Sequence, residues 1–211
     1  MIEYPKIEAV FNRDTNGTKK LIWGDFRNEV VEFLSHNTWV CTEKIDGTNI
    51  GIVWDGHSVS YQGRTERANI PAHLMNKLIE LFGGNAAEEL FEQTFGNKKV
   101  ILFGEGYGAK IQNGGNYRND VSFILFDVFI PDDNLWLKRK SVEEIARTFG
   151  IDAVPIILEG TIADAVNFVM ERPKSTIGTA TMEGLVCRPK IELYDRRNNR
   201  VIVKIKTIDF A

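Results

Sequence analysis

The sequence predicts an α+β fold built mainly from antiparallel sheet. Strand-like and helix-like runs are mixed along the 211 residues without the regular βαβ alternation that produces a parallel sheet. An Asp-Gly pair at Asp55–Gly56 is a hairpin signal between two of the strands. With 43% hydrophobic and 26% charged residues, a chain of this length can bury a core without disulfides.

The elements of the first half follow from local patterns. β-Branched and aromatic residues predict strands over Thr38–Glu43, Ile50–Trp54 and Ser58–Gly63. Apolar residues at helical spacing predict two helices, Pro71–Phe82, which starts on a proline, and Ala86–Phe95.

The second half continues the same mixture. Lys99–Gly104 and Ser122–Ile130 are predicted strands, and the latter is apolar on both faces, so it should lie inside the fold. The run SVEE at Ser141–Glu144 has the pattern of a capping box and predicts a helix that ends near Phe149. The remaining predictions are a helix and two strands: Thr161–Glu171, Glu183–Arg188 and Val201–Lys206.

Composition narrows the class of protein. The net charge of −3 argues against indiscriminate coating of nucleic acid, although a local basic groove depends on arrangement rather than on totals. Cys41 and Cys187 lie in strand-like runs, so we expect buried free thiols, which suit a reducing cytoplasm. No signal peptide or membrane-spanning run is recognisable. We therefore expect a cytoplasmic protein without membrane partners.

A lysine stands where a strand meets a tight turn. Lys44 opens the pattern K-x-D-G-x-N, which ends at Asn49, and its glycine and asparagine are turn formers. A lysine at such a turn is either a solvated surface charge or a nucleophile. By itself the pattern favours the surface charge, and four further blocks change that balance.

Two blocks follow the early strands. YQGRTER places Arg64 and Arg67 at the end of a hairpin strand. ILFGEGYG places Glu105 among glycines, which let a backbone approach a ligand closely. The Glu105 carboxylate can accept hydrogen bonds from ribose hydroxyls.

The other two blocks are late strands. MEGLVCRPK begins with Glu183, and VIVKIK contains Lys204 and Lys206. The strand period of two puts both lysines on one face, roughly 7 Å apart, and leaves Val203 and Ile205 for the core. Two cations at the end of a strand call for an anion, and phosphate is the obvious one.

In this order the blocks resemble the motifs of covalent nucleotidyltransferases, the superfamily of polynucleotide ligases and mRNA capping enzymes. EKIDGTN resembles the nucleophile motif, FGE the third, FILFDVFI the strand that lays an aromatic ring on the base, MEGLV the fourth and VKIK the fifth. Asn49 and the segment GEGYGAKIQNGGNY are most similar to the RNA ligase 2 type of phage and editing ligases. The resemblance spans about residues 38 to 206.

The resemblance implies an ATP-dependent RNA ligase. Lys44 would attack the α-phosphate of ATP, form lysyl-AMP and release pyrophosphate. AMP would then pass to an RNA 5′-phosphate, and a 3′-hydroxyl would displace it to seal the strand. Lys204 and Lys206 would stabilise charge on the transferring phosphate. Mg²⁺ or Mn²⁺ would be held by Glu183, with Asp46 as a turn-fixing residue and second metal candidate.

The resemblance also implies a nucleotide-binding set. Glu105 would hold the ribose hydroxyls, and Arg64 the ribose or a phosphate. Phe126 would stack on adenine, although core packing also explains it and Phe123 on the opposite face is an alternative. The full set is Glu43, Asn49, Arg64, Glu105, Phe126, Glu183, Lys204 and Lys206, and the predicted nucleic-acid contacts are Gln112, Tyr117 and Arg118.

Ligases of this superfamily usually carry a second domain after the fifth motif, whereas this sequence ends five residues after Lys206. We expect a single nucleotidyltransferase domain over residues 1–211, without a C-terminal OB or helical domain. Alternatively, a missing C-terminal segment or a protein partner completes the enzyme. Three alternatives stay open: an ATP-dependent DNA ligase, a GTP-using capping-type enzyme, and a catalytically dead module that binds RNA or a nucleotide.

Overall fold

A computed structural model describes residues 1–112 and 116–210 of the chain. Backbone contacts divide it into two compact units. Unit 1 consists of Met1–Tyr4 and Asp46–Val154, and unit 2 of Pro5–Ile45 and Pro155–Ala211. Each unit is therefore built from two separate stretches of sequence.

The described residues form thirteen strands, five α-helices and a short 3-10 helix, Thr207–Phe210. The strands are β1 Glu8–Ala9, β2 Phe11–Arg13, β3 Leu21–Phe26, β4 Trp39–Lys44, β5 Thr48–Trp54, β6 Val59–Gln62, β7 Val100–Gly108, β8 Val121–Ile130, β9 Leu135–Trp136, β10 Asp152–Ala153, β11 Ile156–Gly160, β12 Gly184–Pro189 and β13 Val203–Lys206. The helices are α1 Glu29–Leu34, α2 Ala72–Phe82, α3 Asn85–Phe95, α4 Arg139–Thr148 and α5 Ile162–Met170. Within the described ranges, no helix is both long and apolar enough to cross a membrane.

Unit 1 is a sheet with helices on one face. Its strand order is β10-β8-β7-β5-β6, with β9 on β8, and every pair except β10–β8 is antiparallel. Side chains from α2, α3 and α4 meet one face of the sheet in a core that includes Trp54, Phe82, Phe91 and Phe123. The opposite face carries a smaller cluster around Phe103, which leaves room on that face for polar side chains.

Unit 2 is a second sheet, in the order β1-β13-β12-β4-β11. Its pairs are antiparallel except β1–β13, which is parallel. The core beneath it takes residues from β4, β12 and β13 and from α1 and α5, and the two cysteines lie opposite each other within it. Cys41 and Cys187 are buried and free, as predicted.

The predicted fold class and most predicted elements are confirmed, with two corrections at element starts. The capping box at Ser141–Glu144 is wrong, because α4 begins at Arg139 and Ser141 lies inside the helix. A capping box occurs instead on α5, where Thr161 and Asp164 exchange hydrogen bonds. The last strand begins at Val203 rather than Val201, because the preceding residues belong to the connection from β12.

Candidate active site

One carboxylate holds two of the predicted site lysines. Glu183 Oε2 lies 2.7 Å from Lys44 Nζ, and Glu183 Oε1 lies 2.7 Å from Lys206 Nζ. The three side chains are between 18% and 31% exposed, so the cluster is partly shielded yet open to a ligand. The sequence prediction that these residues act at one place is consistent with this geometry.

The strand register explains why both ammonium groups reach the same carboxylate. β12 lies between β4 and β13, and Gly184 is the register partner of both Lys44 and Lys206. Gly184 has φ +151°, and a Cβ atom there would lie 2.0 Å from the carbonyl oxygen of Ile205. A side chain would strain the backbone and push the strands apart, so glycine is required for this close approach.

Lys204 lies on the same strand face as Lys206. Val203 and Ile205, which alternate with the lysines, are buried in the core of unit 2, whereas both lysines are half-buried. The period-two prediction for VKIK is therefore confirmed. Lys204 stands opposite Val186 of β12, two positions along the register from the Gly184–Lys206 pair.

Glu43, the neighbour of Lys44, is 1% exposed and bound from within the protein. Its carboxylate accepts hydrogen bonds from Ser175 Oγ at 2.5 Å, Thr176 N at 3.0 Å and Thr176 Oγ1 at 2.6 Å. These bonds fix the end of β4 beside Lys44. Sequence reasoning missed Ser175 and Thr176, which no recognisable pattern connects to Glu43.

The predicted ribose-binding residues lie in unit 1. Asn49 on β5 and Glu105 on β7 are register partners, so their side chains share one face of the sheet. Phe103, two residues before Glu105, packs in the cluster on the face opposite the helices. Asn49 and Glu105 therefore lie on that helix-free face, both half-buried.

One of the two candidate aromatic residues, Phe126, lies in a β-bulge. Phe103 pairs with Asp127 and Gly104 with Leu125, so Phe126 is the extra residue of β8. Phe126 lies with the helix-free cluster and meets the ring of Tyr4 edge-on at 5.0 Å. Phe123 is 1% exposed and packs in the core, so it is not available to a base. Bulges commonly re-aim a side chain near a site.

The turn after Lys44 is supported within unit 1. The backbone N–H of Asp46 donates to the hydroxyl of Tyr117 at 3.2 Å. A Cβ atom on Gly47 would lie 2.3 Å from the carbonyl oxygen of Gly106, so the turn passes directly over β7. Tyr117 is 9% exposed, and its role as a nucleic-acid contact stays a prediction beside this supporting role.

The other predicted contacts differ in their surroundings. Arg118 pairs with Asp120 at 2.5 Å and lies over the ring of Tyr107, and this pairing lowers the pKa of the Asp120 carboxyl. Gln112 and Arg64 are exposed. Residues 113–115 of the predicted RNA-ligase-like segment lie outside the described residues.

The comparisons with known proteins agree with the motif order. The sequence model of the RNA ligase family matches residues 37–206. The chain belongs to the RNA ligase family. Every predicted site residue of this RNA ligase family member, from Glu43 to Lys206, lies inside the matched range.

Solved structures of Naegleria gruberi RNA ligase share the fold of this RNA ligase family chain. Two mutants with ATP and manganese align with TM-scores of 0.69, at 18% and 16% identity, over 97% of this chain and 56% of theirs. A mutant with AMP and manganese aligns with a TM-score of 0.63 at 19% identity, over 83% and 51%. The chain thus spans about half the length of the solved proteins it matches.

Proposed function

We propose that the chain is the nucleotidyltransferase domain of an ATP-dependent RNA ligase, which forms lysyl-AMP on Lys44 and seals RNA 5′-phosphate to 3′-hydroxyl ends. The observation that carries the proposal is the Glu183 carboxylate between Lys44 Nζ and Lys206 Nζ, at 2.7 Å from each. Family membership supports it, as do the ATP and AMP present in the Naegleria gruberi structures.

The chemistry begins with an ammonium group that must lose its proton. In the free protein Lys44 Nζ pairs with Glu183, whereas attack on phosphorus needs the neutral amine. Lys206 and Lys204 place further positive charge on the same sheet, where the phosphates of a nucleotide would bind. When Nζ bonds to the α-phosphorus, the bond to pyrophosphate breaks, and the two lysines stabilise the charge that develops on the phosphate.

We expect a divalent metal to arrive with the nucleotide rather than to bind the free protein. Within residues 1–112 and 116–210, no group of three or more His, Cys, Asp or Glu side chains forms a metal cage. Mg²⁺ usually takes one or two carboxylates and completes its shell with water and phosphate. Glu183 would hold it, with Asp46 as a second carboxylate, and the metal would supply charge neutralisation for the phosphates.

Unit 1 offers groups for the rest of the nucleotide. Glu105, with Asn49 beside it on the same face, would accept hydrogen bonds from the ribose hydroxyls. Phe126 would stack on adenine, and Arg64, which is exposed after β6, would bind the ribose or a phosphate. The Glu43 carboxylate is occupied by Ser175 and Thr176, so its contribution would be to position Lys44. The free thiols of the chain suit a cytoplasmic enzyme.

Intact mass spectrometry tests the proposal. After incubation with ATP and Mg²⁺ or Mn²⁺, the chain should gain one AMP, which Lys44→Ala should abolish and Lys98→Ala, at an exposed lysine, should preserve. Labelling that survives Lys44→Ala would refute the assignment of Lys44 as the nucleophile. Labelling from GTP alone would indicate a capping-type enzyme. A chain that labels but never joins RNA ends would refute the ligase step.

A further inference from the structure

A hairpin loop joins the two strands that hold Gly184 and Lys206. We call residues Leu193–Val201 the arginine loop. The Val201 N–H donates to Leu193 O at 2.8 Å, and Tyr194 bridges to Arg200 across the base. Closer to the tip, the Asp195 N–H donates to Asn199 O at 2.8 Å.

The tip of the arginine loop is organised by one carboxylate. Asp195 accepts hydrogen bonds from the backbone N–H groups of Arg197 and Asn199, at 2.8 Å each, and from Asn199 Nδ2 at 3.1 Å. Hydrogen bonds from the backbone N–H and the side chain of Asn199 are the main cause of a lowered pKa of the Asp195 carboxyl. A loop already held in one shape loses less conformational entropy when it binds a partner.

The acidic groups of this region are engaged internally, whereas two guanidinium groups are exposed. Glu192 lies 3.7 Å from Arg200, whose side chain is only 5% exposed. Arg196 and Arg197 are both exposed at the tip. Two adjacent arginines suit phosphate groups, because each guanidinium can donate two parallel hydrogen bonds to phosphate oxygens.

The arginine loop also carries an exposed aromatic residue, two positions before Arg196 in the sequence. Tyr194 is 43% exposed although it lies at the paired base of the hairpin. Exposed aromatic rings next to arginines are the means by which proteins bind single-stranded nucleic acid, since bases stack on the ring while cations follow the backbone. A paired duplex offers no free base face, so the combination favours a single strand.

We propose that the arginine loop binds single-stranded RNA several nucleotides from the end that is being joined, with Arg196 and Arg197 on phosphates and Tyr194 on a base. The inference rests on the proposed function, which makes RNA the substrate. From Arg197 to Lys206 is nine residues, at most roughly 30 Å of extended chain. At about 3.4 Å per nucleotide of stacked strand, the arginine contacts lie within about nine nucleotides of the reacting phosphate.

The test measures RNA affinity without ATP, by fluorescence anisotropy of a labelled single-stranded RNA of about 20 nucleotides at several salt concentrations. R196Q/R197Q should weaken binding by about ten-fold and reduce the slope of log affinity against log salt by about 1.4, since each phosphate contact contributes about 0.7. Tyr194→Leu should weaken binding by about five-fold or more, because stacking on the ring is lost.

The chain offers a matched control. Lys19 and Lys20 are adjacent exposed cations in another loop, which Asp14 organises by accepting from the N–H groups of Asn16 and Thr18. K19Q/K20Q should leave RNA affinity and salt slope near the wild-type values. An equal loss in this control would show diffuse electrostatic binding and would overturn the proposal.

Further outcomes separate the alternatives. Unchanged affinity in R196Q/R197Q, or tighter binding to phosphatidylserine vesicles than to RNA, would overturn the loop's assignment. R196K/R197K should keep the salt slope, which distinguishes lost charge from a damaged fold. Lys44 labelling with AMP should be normal in every loop variant. Absent labelling in the wild type would refute the proposed ligase and leave the loop's RNA affinity measurable.

Discussion

Lys44 and Lys206 are register partners of the same residue, Gly184, one on each side of β12. Two ammonium groups set side by side repel each other, and the carboxylate of the preceding residue, Glu183, compensates both. Phosphate groups of a bound nucleotide carry the same sign of charge as Glu183. In the free protein, Glu183 therefore holds Lys44 and Lys206 in place, and the phosphates of a ligand can add to its negative charge.

Removal of that anion should impair the first step of catalysis. Glu183→Gln should slow Lys44 adenylylation by about 100-fold, because the amine loses the group that fixes its position and small misplacements are costly. Single-turnover labelling with ATP measures the rate. Glu159→Gln, which removes a carboxylate paired with Lys190 on the surface, is the control and should label normally. A wild-type rate of adenylylation in Glu183→Gln would show that Glu183 has no part in this step.

Lys204 and Lys206 of β13 should both be needed for the adenylylation of Lys44. Lys204→Ala and Lys206→Ala should each reduce adenylylation by at least about 100-fold, as expected when a donor that stabilises developing charge is lost. The same labelling assay applies, with Lys190→Ala as a surface control and circular dichroism to verify folding. Near-normal rates in both folded variants would show that this face of β13 does not meet the phosphates.

Gly184 should tolerate no side chain. Gly184→Ala should lower the free energy of unfolding by about 3 kcal/mol or more, because positive φ and contact with the backbone of Ile205 add their costs. Urea denaturation measures the loss. Gly24→Ala is the matched control, since Gly24 has φ +78° but open space around its Cβ position, and should cost about 1–2 kcal/mol. Equal losses of stability in Gly184→Ala and Gly24→Ala would show that the contact with Ile205 adds no cost to that of positive φ.

The sugar at the break should matter. We expect faster sealing when the terminal 3′ nucleotides are RNA, since a 2′-hydroxyl lets a protein distinguish RNA from DNA at a chosen position. The comparison uses nicks that differ only in those sugars, with the 5′-phosphate strand held constant. Equal sealing of all-DNA nicks would favour a DNA ligase.

The two cysteines should be inert in the folded chain. Cys41 and Cys187 are fully buried partners on β4 and β12, and burial, with a smaller effect from Cys41, raises the pKa of the Cys187 thiol. A thiol with a raised pKa carries less of the reactive thiolate at pH 8. Ellman's reagent should therefore report no thiols in the native protein and two after denaturation. Rapid native reaction would contradict this packing.

Sequence patterns predicted those parts of the site that lie within short motifs. The alternation in VKIK placed Lys204 and Lys206 on one face because strand periodicity is a local property. The bond between Ser175 and Glu43 joins residues 132 positions apart, and no local pattern encodes it. The bulge at Phe126 also escaped prediction, since it depends on how β7 pairs with β8.

The errors in the fold have local causes. α1 spans six residues, too short for a helical period to emerge, although Asn28 caps it by accepting from Val31 N. The serine of SVEE resembles a cap, but α4 extends one turn earlier, where Arg139 pairs with Glu143.

The discontinuity of unit 2 has a consequence for biosynthesis. Lys44 and Glu183 are 139 residues apart, and the whole long segment of unit 1 is translated between them. A ribosome adds about 5–20 residues per second, so β4 waits several seconds for β12 while unit 1 can already collapse. During that interval the apolar face of β4 has no partner strand. Synthesis that stalls after Val154 should leave a folded unit 1 attached to an aggregation-prone N-terminal segment.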